Sequence, residues 1–225
     1  MRDTFERQYD AWGVDAVLAK YRGLALAPHD GNGATIAGEL AFTVERRSEE
    51  PLTDEYSVRI EISSRYPREL PQVWECGKRI PPNFHKNAKD TLCLGSTIRL
   101  RMAVGQTPTL LEFVEMCVVP YLYGYSYLQK HGRLPFDELD HGDKGILADL
   151  KKLFGVTTDE QCMGMLLQAS LQKRKANRAA CPCGSGRRLG ACHNRMLNKL
   201  RKCCGRLTFR DEYLRMRYLV RSRAR

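Results

Sequence analysis

"HKNAKDTLCLG", residues 85–95, is the stretch on which the reading of this chain turns. It follows "RIPPNF", where two prolines interrupt regular structure, and it sets Cys93 between two leucines shortly after a His-x-Asn triplet. Such a cysteine can be a nucleophile, a metal ligand or a small apolar filler of a core. The patterns on either side of it choose among these.

Upstream, "TFERQYDAWGVDAVLAKY" predicts a first helix, because Phe5, Tyr9, Trp12 and Ala16 recur at three- and four-residue steps. A strand-rich region follows. Leu40, Phe42 and Val44 alternate with polar residues, as do Tyr56, Val58, Ile60 and Ile62, and the polar "RSEEPLTD" between them predicts a hairpin. "RYPRELP" then turns the chain into the short strand "QVWEC". Downstream of Cys93 the pattern becomes helical. Either Thr107 before Pro108, or Thr109 with Glu112, caps a helix carrying Leu110, Val114, Cys117 and Tyr121 on one face, which Pro120 is expected to kink or split. "ILADLKKLFGV" predicts a further helix, and residues 159–177 a helical connector that turns basic.

This order, with "YPRELP" and "HKNAKDTLCLG" inside it, resembles the ubiquitin-conjugating enzymes. Tyr66, Pro67 and Pro71 match that family's Tyr-Pro-x-x-x-Pro segment, His85 and Asn87 its His-Pro-Asn triplet, and Cys93 with Leu94 its Cys-Leu pair. Lys86 stands where the family has its central proline, and Gly95 follows Leu94 where an acidic residue is common. The chain is similar to divergent bacterial members encoded with nucleotidyltransferases in antiviral operons of the CBASS type. The resemblance implies an α+β fold: an N-terminal helix, an antiparallel meander sheet and C-terminal helices, over residues 1–155. It also implies a transferase that holds a ubiquitin-like modifier, or a protein C-terminus, as a thioester on Cys93. Asn87 would steady the oxyanion and His85 would hold the loop. A thiolate suits this work, being both a soft nucleophile and a good leaving group. No Walker motif or dinucleotide loop is present, so an activating enzyme is expected in trans, and a nucleotidyltransferase is a candidate target. The rival expectations are a non-catalytic scaffold of the same fold and a nucleic-acid-binding protein acting through its C-terminus. Cys76, Cys117 and Cys162 lie in apolar or helical patterns and read as core thiols, while His29, His131 and His141 read as solvated loop residues.

Near the C-terminus, "CPCGSGRRLGACH" supplies Cys181, Cys183, Cys192 and His193, a closed set of three thiolates and one imidazole suited to structural zinc. It resembles the SEC-C motif, a short zinc module that also occurs at the end of a bacterial translocation ATPase. The expected organisation is therefore a conjugating-type domain at 1–155, a helical connector at 156–178, a zinc module at 179–205 and a basic amphipathic tail at 206–225, striped by Phe209, Tyr213, Met216 and Val220. Cys203 and Cys204 read as bystanders.

Composition bounds these readings. The net charge of +11 is unevenly distributed: residues 173–225 carry 17 Lys/Arg against Asp211 and Glu212, a balance of +15, which leaves 11 − 15 = −4 for the first 172. A basic C-terminal segment suits an acidic protein surface or nucleic acid. No apolar run approaches the roughly 18 residues that span a bilayer, and the start has no signal-peptide pattern, so no membrane partner and a cytoplasmic location are expected.

Overall fold

The computed structural model describes residues 9–29, 33–46, 49–87, 89–135 and 142–223, and the chain divides into two compact units. The first comprises Met1–Leu94 and Thr107–Glu138, the second Gly95–Gln106 and Leu139–Arg225.

In the first unit residues 9–12 are helical, Gly13 adopts a left-handed conformation (φ +73°), and helix α1 runs over Val14–Lys20. The glycine breaks the single helix expected across residues 4–21 and resets its phase. Trp12, Val14 and Val17 are consequently buried while Ala16 is exposed; Phe5 lies outside the described residues. Strands β1 (Leu24–Ala27), β2 (Ala34–Val44), β3 (Leu52–Ile62) and β4 (Gln72–Glu75) form an antiparallel meander in sequential order. The β2–β3 register pairs Leu40 with Tyr56 and Ile36 with Ile60, so the alternating apolar residues share one buried face.

The segment packed on that face starts at Thr109, not Thr107. The Thr109 hydroxyl accepts from the Glu112 N–H at 3.2 Å, and the Glu112 carboxylate accepts from the Thr109 N–H at 2.8 Å. Helix α2 (Leu110–Phe113) passes through a π-turn (Val114–Val118) into helix α3 (Val119–His131). Pro120 sits at the start of α3, directly after the π-turn. A widened turn tolerates the missing N–H and the ring, so the helix carries on without the expected split. Tyr56 and Ser126 tie β3 to α3 through a 2.7 Å hydroxyl pair.

In the second unit, helix α4 (Thr97–Val104) is capped by Ser96, whose hydroxyl accepts from the Arg99 N–H at 3.2 Å. Helices α5 (Gly142–Phe154), α6 (Asp159–Ser170), α7 (Lys173–Arg178), α8 (Asn194–Cys204) and α9 (Arg206–Arg223) follow. One apolar core joins them, running from Ile98 through Phe154, Met165, Leu166 and Leu197 to Phe209 and Met216. The segments expected to be a connector and a tail are therefore core elements, and the boundaries at 155, 178 and 205 fall inside one packed body. Arg201 shows the same integration: its guanidinium donates to the carbonyls of Gln168, Ala169 and Leu171 and closes the C-terminal end of α6. Arg99 grips the buried Asp149 carboxylate with Nε and a terminal nitrogen at 2.8 and 2.7 Å.

Candidate functional site

The metal-ligating residues come together around a short hairpin. Ala180 pairs with Arg188, the Cys181 N–H donates to the Arg187 carbonyl at 2.8 Å, and the Leu189 N–H donates to Ala179 at 2.9 Å. Between these rungs Gly184 and Gly186 take positive φ, giving the tight turn expected of Gly-Ser-Gly. A 3₁₀ turn (Leu189–Ala191) then brings Cys192 and His193 back to the first two cysteines. The hairpin rests on α6. The Gln161 amide donates to the Cys183 carbonyl at 3.1 Å, and Gly164 faces Pro182 so closely that a Cβ there would come within 2.7 Å of the proline ring. A glycine inside a helix is otherwise unfavourable, and here it makes room for the metal loop.

The ligand atoms of Cys181, Cys183, Cys192 and His193 all lie within 4.8 Å of one another. Cys183 Sγ and Cys192 Sγ are 3.7 Å apart, and His193 Nδ1 is 3.2 Å from both Cys181 Sγ and Cys192 Sγ. A tetrahedron with metal–sulfur bonds of about 2.3 Å has sulfur–sulfur edges of about 3.8 Å, so the set has the right size for zinc. Burial pushes the Cys181 thiol up to about 11. The Ser185 hydroxyl, 3.2 Å from the sulfur, brings Cys183 down to about 6, the direction that favours ligation by a thiolate. Residues 179–195 match the SEC-C motif. The SEC-C module thus carries a donor set and geometry that fit a zinc site, with all four positions filled by protein. No curated protein sequence and no solved structure matches the chain.

His85, Asn87 and Cys93 meet in the first unit, in a small hairpin sewn to β4. The Cys93 N–H donates to the His85 carbonyl at 2.7 Å, Lys86 pairs with Leu92, and the Asn87 N–H donates to Thr91 at 2.8 Å. The Leu92 N–H donates to Val73 of β4 at 2.7 Å, and Trp74 Nε1 donates to the Lys89 carbonyl at 3.2 Å. Cys93 is half-buried, flanked by the buried Leu92, so it is neither core filler nor fully exposed. His85 adopts φ +38°, rare for a non-glycine residue, and its ring stands edge-on to Phe84 at 5.0 Å. The Asn87 side-chain amide donates to Thr91 Oγ1 at 2.9 Å and more weakly to the Leu92 carbonyl at 3.5 Å.

Two tyrosines of α3 supply what the motif reading missed. The Tyr121 hydroxyl lies 3.1 Å from both the Phe84 and His85 carbonyls, and the Tyr125 hydroxyl donates to the Arg79 carbonyl at 2.8 Å. Burial, with the nearby Cys93 adding to it, pushes the Tyr121 phenol well above its ordinary range, so it remains a donor. Arg79 in turn holds Asp54 with both terminal nitrogens at 2.9 Å and lies 4.2 Å over the Tyr56 ring. The Tyr121–Tyr125 spacing of four residues on one helix face was the available signal, though Tyr121 reads equally well as core.

Of the remaining cysteines, Cys117 and Cys162 are buried as expected, whereas Cys76, the residue after β4, is exposed. Cys203 and Cys204 lie outside the ligand set. His29 is half-buried, with Nδ1 2.8 Å from Thr35 Oγ1, and not the solvated loop residue expected; His141 lies outside the described residues. Among the described residues no helix is long and apolar enough to cross a membrane.

Proposed function

We propose that the first unit is a thioester-forming transferase of the ubiquitin-conjugating type. The observation that carries this reading is the hairpin at 85–93, which pairs a half-buried cysteine with His85 and fixes the Asn87 side-chain amide on Thr91, next to a helix and an antiparallel meander. In the reaction, the Cys93 thiolate attacks the activated C-terminal carbonyl of a ubiquitin-like protein delivered by an activating enzyme. A C–S bond forms, and the enzyme's own thiolate leaves. A target amine then attacks the same carbon, the C–N bond forms, the Cys93 thiolate departs and the amine proton passes to solvent. Asn87 can serve the oxyanion by exchanging its 3.5 Å contact with the Leu92 carbonyl, the weaker of its two hydrogen bonds, for the developing charge. His85 works through its main chain, where its carbonyl accepts from Cys93 and Tyr121. The SEC-C module, with zinc bound, braces the second unit and has no ligand position open for chemistry.

Expression with the native gene neighbours, followed by denaturation with and without reductant, tests this. A reductant-sensitive adduct on Cys93, converted by Cys93→Ser to a reductant-resistant ester or abolished, is the expected result. Absence of any adduct, or an unchanged one in the variant, would exclude the transferase reading.

A further inference from the structure

Helix α8 has two chemically opposed faces. Leu197, Leu200 and Cys204 enter the core of the second unit, while Arg195, Lys199 and Lys202 are exposed on the other side. That outer face borders a groove of about 800 Å³ that begins at Cys192 and His193 and is lined by Asn194, Arg195, Met196, Asn198, Lys199 and Lys202. None of the three cations has an ion-pair partner among the described residues. Sequence explains why: between Glu160 and Asp211 there is no acidic residue, while the same 50 positions hold twelve Lys/Arg. A solvated helix face ordinarily interleaves Glu with Lys at i, i+4. Here the counter-charge has to come from outside the segment.

We infer that the groove along α8, beside the metal ligands, is a docking surface for the phosphodiester backbone of nucleic acid. Three features select this class of partner. Along the helix, Arg195 to Lys202 spans about 10.5 Å at 1.5 Å per residue, the axial length over which one duplex strand presents about three phosphates. The surface offers donors: guanidinium, two ammonium groups and the amides of Asn194 and Asn198. No tryptophan, tyrosine or phenylalanine lines it, and its one methionine, Met196, is half-buried and packed against the core of the second unit, whereas an interface with a folded acidic protein centres on an exposed aromatic or apolar anchor. With no large aromatic ring to stack on bases, and with cations spaced to meet phosphates, the binding is expected to be independent of sequence. The metal hairpin contributes by fixing the amino end of α8, since His193 is both a ligand and the residue at which the helix begins.

The test uses the full-length, zinc-loaded protein and a fluorescent 24-base-pair duplex of arbitrary sequence. Three phosphate contacts predict a slope of log affinity against log salt of about −2.7, or roughly 40-fold weakening between 0.05 and 0.2 M salt. The triple variant Arg195→Glu, Lys199→Glu, Lys202→Glu is expected to lose at least tenfold in affinity with zinc content and helical signal unchanged. The neutral triple variant with glutamine at the same positions keeps the fold under minimal perturbation and should flatten the slope by about the same 2.7. Equal charge reversal at Arg22, Lys78 and Lys130, exposed on the first unit, should leave binding within twofold. Polyglutamate, whose charges are less dense than the duplex's one per about 1.7 Å, should compete at least tenfold less well per charge. No binding at 0.05 M salt, full binding by either α8 variant, or equal competition by polyglutamate would overturn the proposal, the last by making an acidic protein the partner. None of these readouts involves Cys93.

Discussion

Phe209→Ala tests whether the C-terminal helix is an attachment or a structural member of the second unit. Phe209 is fully buried, in the same core as Met165, Leu166 and Phe154. Truncating a phenylalanine in such a setting removes its transfer free energy and leaves a cavity, for a cost of about 3–5 kcal/mol. With a urea dependence of about 2 kcal/mol per molar, a loss of about 4 kcal/mol lowers the midpoint by about 2 M. Both tryptophans, Trp12 and Trp74, belong to the first unit, whereas the second is helical throughout its described elements. Far-UV circular dichroism of the zinc-loaded chain is therefore dominated by the second unit, with a smaller share from α1–α3 of the first, and tryptophan fluorescence follows the first alone. The variant should lose its helical signal at markedly lower urea. Leu207→Ala on the same helix, where the side chain is 44% exposed, should cost less than about 0.5 kcal/mol. A cost for Phe209→Ala below about 1 kcal/mol would place α9 on the surface and refute the argument.

Three further outcomes are expected. Burial pushes the Asp54 carboxyl up, but hydrogen bonds from Arg79 and Ser126 outweigh this and hold it at about 2; the bond is thus worth on the order of 2 kcal/mol above pH 4, is lost as pH falls from about 4 toward 2, and should vanish from acid titrations of Asp54→Asn. Metal analysis should return one zinc per chain, and Cys181→Ser or chelation should lower the unfolding midpoint of the helical signal, because Cys181 and Leu189 both belong to the core of the second unit. Tyr121→Phe should cost about 1 kcal/mol and slow adduct formation on Cys93, whereas Tyr123→Phe should leave adduct formation unchanged, since the Tyr123 hydroxyl meets Arg46 and not the loop; adduct kinetics with the two variants separate the roles.

Local chemistry was readable from the sequence where a short motif closes on itself. The period-two alternation of β2 and β3 set their shared face, Thr109 with Glu112 was one of two helix starts on offer beside Thr107, and Cys181, Cys183, Cys192 and His193 defined a ligand set, since spacing within a few residues limits which groups can meet. Tertiary structure decided the rest. Gly13 could be a tolerated helical glycine or a break, and only packing of Trp12, Val14 and Val17 made it a break. The helix at 159–170 carried Cys162, Met165, Leu166 and Ala169 on one face without showing what would cover them. The cover is Phe209 and Met216, forty or more residues away, and it turns a connector and a tail into one core. Tyr121 likewise looked like core, and its hydroxyl contact with the His85 loop exists only because the helix lies across that loop. Sequence records which groups are near along the chain and how often they recur, while burial and long-range hydrogen bonding depend on where the chain returns.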